Sequence, residues 1–189
     1  PGSVSPALSA DGTLHLGGRA LDAATGAEKW SIAGRLDAGS GRGAIAIGDD
    51  CTVYFRALVA VDGETGAVKW TFPELNVSWS TPVLGGNGLV YFGGGDRILH
   101  ALDAHTGATR WEHPFGRQIM TSQALGADDT VYATDLDDSL TAFDGATGQK
   151  RWSFPARVAN GSPVVGGDGI VYFGTDGGEL VAVDGVTGT

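Results

Sequence analysis

Apolar runs of four to six residues, each closed by Gly, Asp or Asn, follow one another along the chain. Between Ser80 and Trp111 the runs are Ser80 to Leu84, Leu89-Val90-Tyr91-Phe92, Ile98 to Leu102 and Ala108 to Trp111. Gly85-Gly86-Asn87-Gly88, Gly93-Gly94-Gly95-Asp96 and the stretch from Asp103 to Gly107 separate them. Helical spacing of apolar residues is absent throughout, and runs this short with such punctuation predict β-strands joined by tight turns.

The pattern repeats. Trp30, Trp70, Trp111 and Trp152 stand 40, 41 and 41 residues apart. Eight positions before each lies an aspartate (Asp22, Asp62, Asp103 and Asp144), and Asp184 continues the series. Thr25-Gly26, Thr65-Gly66, Thr106-Gly107, Thr147-Gly148 and Thr187-Gly188 fall at one fixed offset from these aspartates. A period near 40 residues marks a solenoid or a propeller, and four antiparallel strands per period select the propeller. The glycine supplies the left-handed residue of the third-to-fourth strand turn, the aspartate accepts its amides, and the tryptophan bridges to the next sheet. The expected fold is therefore all-β: four four-stranded antiparallel blades with Trp-docking motifs, plus three strands of a fifth. The approximate repeats are 1–34, 35–74, 75–115, 116–156 and 157–189 of a single partial propeller.

The segment Ala20-Leu21-Asp22-Ala23-Ala24-Thr25-Gly26-Ala27-Glu28-Lys29-Trp30 resembles the docking motif of the pyrroloquinoline-quinone-enzyme-like repeat, the unit of quinoprotein-dehydrogenase-type β-propellers. It returns at Ala60 to Trp70, Ala101 to Trp111 and Ala142 to Trp152, and begins again at Ala182. The resemblance implies an eight-bladed ring, which at 40–41 residues per blade needs roughly 330 residues, so the chain is expected to be part of one. It also implies a periplasmic or extracellular location. Two functions come with it. One is a non-enzymatic module that scaffolds or binds a protein, a peptide or a small ligand, as barrel-assembly lipoproteins and receptor-kinase sensor domains do. The alternative is a fragment of a quinone- and calcium-dependent alcohol or sugar dehydrogenase, which uses adjacent cysteines against pyrroloquinoline quinone.

Composition bears on that choice. Twelve Lys and Arg against 22 Asp and Glu give a net charge of −10, which disfavours nucleic acid as a partner. No apolar run approaches a membrane span. Open strand edges of a partial ring favour self-association. Cys51 is the one cysteine, read as a packing residue, and His15, His100, His105 and His113 show no paired ligand spacing. His15 and His100 are read as surface or half-buried strand residues. Asp135-Leu136-Asp137-Asp138 is read as turn chemistry ahead of a cation site. With no catalytic template in the chain, no metal site and no cofactor are expected, and the binding module is preferred.

Where the copies differ, a site becomes legible. Ser3, Arg42, Trp79, Met120 and Asn160 occupy one equivalent position, where the innermost strand begins. Arg117 and Arg157 follow their docking tryptophans by five or six residues, as Arg35 does, in the connections between repeats. Arg42, Trp79, Met120 and Asn160 are therefore the candidate ligand-binding residues at the channel mouth, with Arg117 and Arg157 at its rim.

Overall fold

The computed structural model of the chain describes residues 5–32, 45–55, 58–72, 80–119, 121–135, 139–158 and 161–189. Every element among them is a strand. The first sheet holds β1 (Ala7–Leu8), β2 (Thr13–Leu16), β3 (Arg19–Asp22) and β4 (Glu28–Ser31). The second holds β5 (Ile45–Ile47), β6 (Thr52–Phe55), β7 (Val59–Asp62) and β8 (Val68–Thr71). The third holds β9 (Val83–Leu84), β10 (Leu89–Gly93), β11 (Ile98–Asp103) and β12 (Thr109–Pro114). The fourth holds β13 (Ala124–Leu125), β14 (Val131–Asp135), β15 (Ser139–Phe143) and β16 (Lys150–Pro155). The fifth has three strands, β17 (Val164–Val165), β18 (Ile170–Gly174) and β19 (Leu180–Asp184). In every sheet the strands pair antiparallel in chain order, so each sheet is a meander.

The chain divides into two compact units. Pro1–Leu75 with His105–Gly107 form one, and Asn76–Ala104 with Ala108–Thr189 form the other.

Register repeats from sheet to sheet. Ala20, Ala60, Ala101 and Ala142 each lie opposite a tryptophan, respectively Trp30, Trp70, Trp111 and Trp152. The ladder shifts by one residue immediately after each of these fully buried alanines. A bulge there strengthens the twist of the outer strand.

In the second unit, neighbouring sheets meet through a shared acceptor. Trp111 Nε1 donates to Gly145 O at 2.6 Å, and Tyr91 Oη donates to the same carbonyl at 3.1 Å. Trp152 Nε1 and Tyr132 Oη both reach Gly185 O at 3.0 Å. Burial pushes the Tyr91 hydroxyl up to about 12, so it serves as a neutral donor. Apolar burial fills the space behind these joints: Leu89, Tyr91, Leu99, Trp111, Ile119, Val131 and Phe143 form one cluster. Phe173, Leu140, Val171 and Val183 belong to the next.

The first unit carries an exception. Trp30 Nε1 donates to Gly63 O at 2.8 Å, but His15 stands where the other sheets have tyrosine. His15 is buried; its Nε2 lies 3.1 Å from Ser9 Oγ and its Nδ1 has no partner. Burial holds its pKa below the ordinary histidine value. Ser9 in turn replaces a glycine. A Cβ at Gly85 would lie 3.0 Å from the Tyr91 ring, and one at Gly166 would lie 3.2 Å from Tyr172. In those two sheets a side chain here would crowd the tyrosine, whereas at Gly126 and Gly48 the ring stands at 3.4 and 3.6 Å. His15→Tyr and Ser9→Gly are each expected to destabilise the chain alone. Together they remove the orphaned nitrogen and supply a hydroxyl for Gly63 O, giving a coupling of about 1–2 kcal/mol in a urea double-mutant cycle. Additive effects within about 0.5 kcal/mol would count against this pairing.

Candidate functional site

The third-to-fourth strand turns are built by the repeated aspartates. Asp22 Oδ1 accepts from the amides of Ala24 and Thr25 at 3.1 and 2.7 Å and from Thr25 Oγ1 at 2.7 Å. Asp62 repeats the pattern with Glu64 and Thr65, and Asp184 with Val186 and Thr187. Asp144 binds Thr147 and also Arg151 Nη2 at 3.0 Å, whereas Asp103 takes Arg110 Nη2 at 2.8 Å. These hydrogen bonds hold the carboxyls of Asp22, Asp62, Asp144 and Asp184 below the ordinary carboxylate range. Trp30 and Trp111 are buried, while Trp70 and Trp152 are half-buried against Tyr54 and Tyr132. This end of each sheet is occupied with its own geometry.

The opposite end of each sheet carries the second-to-third strand turn and the connection leaving the fourth strand. The expected site residues Arg42, Trp79, Met120 and Asn160 fall outside the described residues, as do Arg35, Leu136, Asp137 and Asp138. Residues just beyond three of these positions are described, and they link first-strand starts across the second unit. Ser122 Oγ accepts from Thr81 N, and Ser162 Oγ from Ser122 N, both at 2.9 Å. Ser80 Oγ donates to Gln123 Oε1 at 3.0 Å.

Arg117 lines a shallow cleft of about 350 Å³ with Arg97, Gly116 and Gln118. Two segments form it. The first is the β10–β11 turn, closed by Gly94 N donating to Ile98 O at 2.8 Å. The second is the stretch after β12, tied back by Phe115 N to Arg97 O at 2.8 Å and by Gln118 Nε2 to Gly95 O at 3.3 Å. Ile119, fully buried against Gly93, anchors that stretch from below. Arg157 is exposed in the corresponding connection of the next sheet, where its carbonyl accepts from Asp176 N at 2.9 Å. Arg117 and Arg157 thus occupy equivalent connections in the second unit, but only Arg117 lines this cleft.

Arg97 is absent from the sequence reading. It adopts φ +71°, the left-handed region. In the equivalent turn of the fifth sheet that place belongs to Gly178, with φ +79°; Gly178 N donates to Thr175 O at 2.9 Å as Arg97 N does to Gly94 O at 3.3 Å. The signal available in the sequence is an arginine aligned with a glycine inside a run of turn residues.

His100 lies beneath the turn. Both its ring nitrogens face carboxylates, Nε2 at 2.9 Å from Asp96 Oδ2 and Nδ1 at 3.0 Å from Glu112 Oε1, and its ring stacks on Phe92 at 4.7 Å. His15 and His100 are thus buried, not at the surface or half-exposed, because each ring finds an aromatic neighbour and a polar partner inside. The two carboxylates approach opposite edges of the imidazole and do not converge on one point. Among the described residues no three His, Cys, Asp or Glu side chains are grouped to hold a metal ion. Cys51 is half-buried in a β5–β6 turn at φ +59° and has no cysteine beside it in the chain. These residues do not fit the paired cysteines and calcium ligands of a quinone site.

Repeated meanders, linked where described by tryptophan and tyrosine donors to the next sheet's glycine carbonyl, define a β-propeller of quinoprotein-type repeats. The chain belongs to the family described as outer membrane protein assembly factor BamB, whose profile matches residues 11–113 and 55–189. The crystal structure of BamB from Moraxella catarrhalis is similar at 27% identity and a TM-score of 0.72, over 99% of this chain and 56% of that one. Quinohemoprotein alcohol dehydrogenase from Comamonas testosteroni is similar at 17% identity and a TM-score of 0.77, over 100% of this chain and 42% of that one. The second likeness is one of fold. The chain therefore spans about half the length of these solved relatives. Against curated protein sequences it finds no match.

Proposed function

We propose that the chain is a non-enzymatic propeller module, periplasmic or extracellular, that holds a protein or peptide partner at the end of its sheets carrying the connections. Arg42, Trp79, Met120 and Asn160 supply side chains around that surface, with Arg117 and Arg157 at its rim. The observation that carries this reading is that Arg97 and Arg117 both line one open cleft in a chain of net charge −10. Membership of a family described as an outer membrane protein assembly factor supports a protein as the partner. The dehydrogenase reading draws on the shared fold alone, and the described residues give it no quinone ligands.

A photo-crosslinking amino acid at Gln118, in the native host, is expected to form adducts with an envelope protein of barrel assembly, identified by mass spectrometry. Trp79→Ala should lower the adduct yield several-fold while leaving the melting temperature unchanged, since one aromatic contact contributes on the order of 1 kcal/mol. Alcohol oxidation on loading with pyrroloquinoline quinone and calcium, without any adduct, would overturn the reading.

A further inference from the structure

The Gly94–Arg97 turn is built to present its arginine. Asp96 sits beside Arg97 in the chain, yet its carboxylate turns inward: Oδ1 accepts from Ile98 N at 3.1 Å and Oδ2 pairs with buried His100 at 2.9 Å. Glu112 is engaged by the other nitrogen of the same ring. Arg97 makes no ion pair among the described residues, although Arg19, Lys29, Lys69, Arg110 and Arg151 all do. Its backbone meanwhile holds the left-handed conformation, which Gly178 adopts freely in the matching turn of the fifth sheet and which Leu58 holds at φ +47° in that of the second. A strained, unneutralised arginine on an anchored turn, beside a second arginine on a segment hydrogen-bonded to that turn, is a preorganised anion receptor.

We propose that the cleft between the Gly94–Arg97 turn and Gly116–Gln118 is a carboxylate-recognition site, in which the guanidinium groups of Arg97 and Arg117 take an aspartate or glutamate side chain from an extended protein segment. This rests on the reading of the module as a protein binder. Guanidinium and carboxylate match in planar, two-hydrogen-bond geometry. A doubly charged phosphate fits less well, because Asp96 and Glu112 stand behind the turn and the whole chain carries −10. That net charge also sharpens the test: an acidic peptide is repelled by the surface at large, so its binding reports a local site.

The probe is a fluorescein-labelled, C-terminally amidated hexaglutamate, with hexaglutamine as its neutral counterpart, followed by fluorescence polarisation on the full chain. Hexaglutamate should bind saturably, hexaglutamine should not, and binding should weaken with added salt. Arg97→Gly should weaken binding by at least about tenfold, as loss of a charge-assisted hydrogen-bonded pair does. Its melting temperature should equal or exceed that of the parent, because glycine is unstrained at this φ. Arg117→Gln should weaken binding similarly and provides a variant that leaves the turn untouched. Unchanged hexaglutamate affinity in both variants overturns the inference, as does no binding by the parent. Displacement by inorganic phosphate at lower concentration than by free glutamate makes the site a phosphate receptor and overturns it too. A free-acid hexaglutamate binding much more tightly than the amide would replace side-chain recognition with C-terminal recognition. If the Gln118 adducts persist at full yield in Arg97→Gly, the carboxylate inference falls and the protein-binding reading stands. If the parent forms no adducts, that reading falls instead.

Discussion

Replacing Trp111 by alanine is expected to destabilise the chain by about 3–5 kcal/mol, the range for truncating a buried aromatic. The ring is 9% exposed and faces Tyr91 at 5.8 Å and Phe143 at 6.4 Å. Its Nε1 also satisfies a buried carbonyl, Gly145 O, which would keep Tyr91 Oη as its remaining partner. The cavity would open between two sheets whose backbones are fixed by their own ladders, which limits collapse. Urea unfolding and calorimetry should show the loss, with hexaglutamate affinity unchanged in the folded fraction. A variant as stable as the parent would remove this contact from among the main links between the third and fourth sheets.

Gly148→Ala is expected to cost about 2–4 kcal/mol, from two sources that can be separated. Gly148 has φ +72°, where a side chain is disfavoured by about 1–2 kcal/mol. A Cβ there would also stand 2.6 Å from Trp111 Cδ2 and 2.8 Å from Cε3. Gly26 has the same backbone, φ +73°, with nothing within 4 Å of its Cβ position. Gly26→Ala should therefore show the conformational part alone, about 1–2 kcal/mol, and the difference between the variants measures the steric part. In the Trp111→Ala background the steric part should vanish, so Gly148→Ala should then cost no more than Gly26→Ala. Equal costs for the two glycines in the parent chain would show that the Trp111 ring yields freely.

The fold was legible because its punctuation is local. A left-handed glycine, an aspartate capping its own turn and a tryptophan eight residues on are each fixed by contacts within one hairpin or with its neighbour, so they recur at one spacing. Arg97 was not legible. In Gly93-Gly94-Gly95-Asp96-Arg97 it reads as the end of a turn, and its alignment with Gly178 gains meaning only from the left-handed φ that both residues adopt. The histidines misled for a related reason. A polar residue in a strand suggests exposure, but His100 is buried because Asp96, four residues before it, and Glu112, on the next strand, both turn towards it. That arrangement depends on pairing β11 with β12 in one register, and spacing along the chain alone does not reveal it.

The glycine carbonyls at the joints have a consequence for how such a protein can grow. Gly145 O and Gly185 O each receive a tryptophan and a tyrosine from the sheet before, and Gly63 O receives Trp30 in the same way. Each joint is thus directional: donors on one side, an acceptor on the other. A repeat with donors at one edge and an acceptor at the other fits between any two of its own kind, and its stability adds mainly through its nearest neighbours. Gene duplication can lengthen such an array by a whole repeat without inventing an interface. The segments outside the joints, including the turn that carries Arg97, then remain free to diversify one copy at a time.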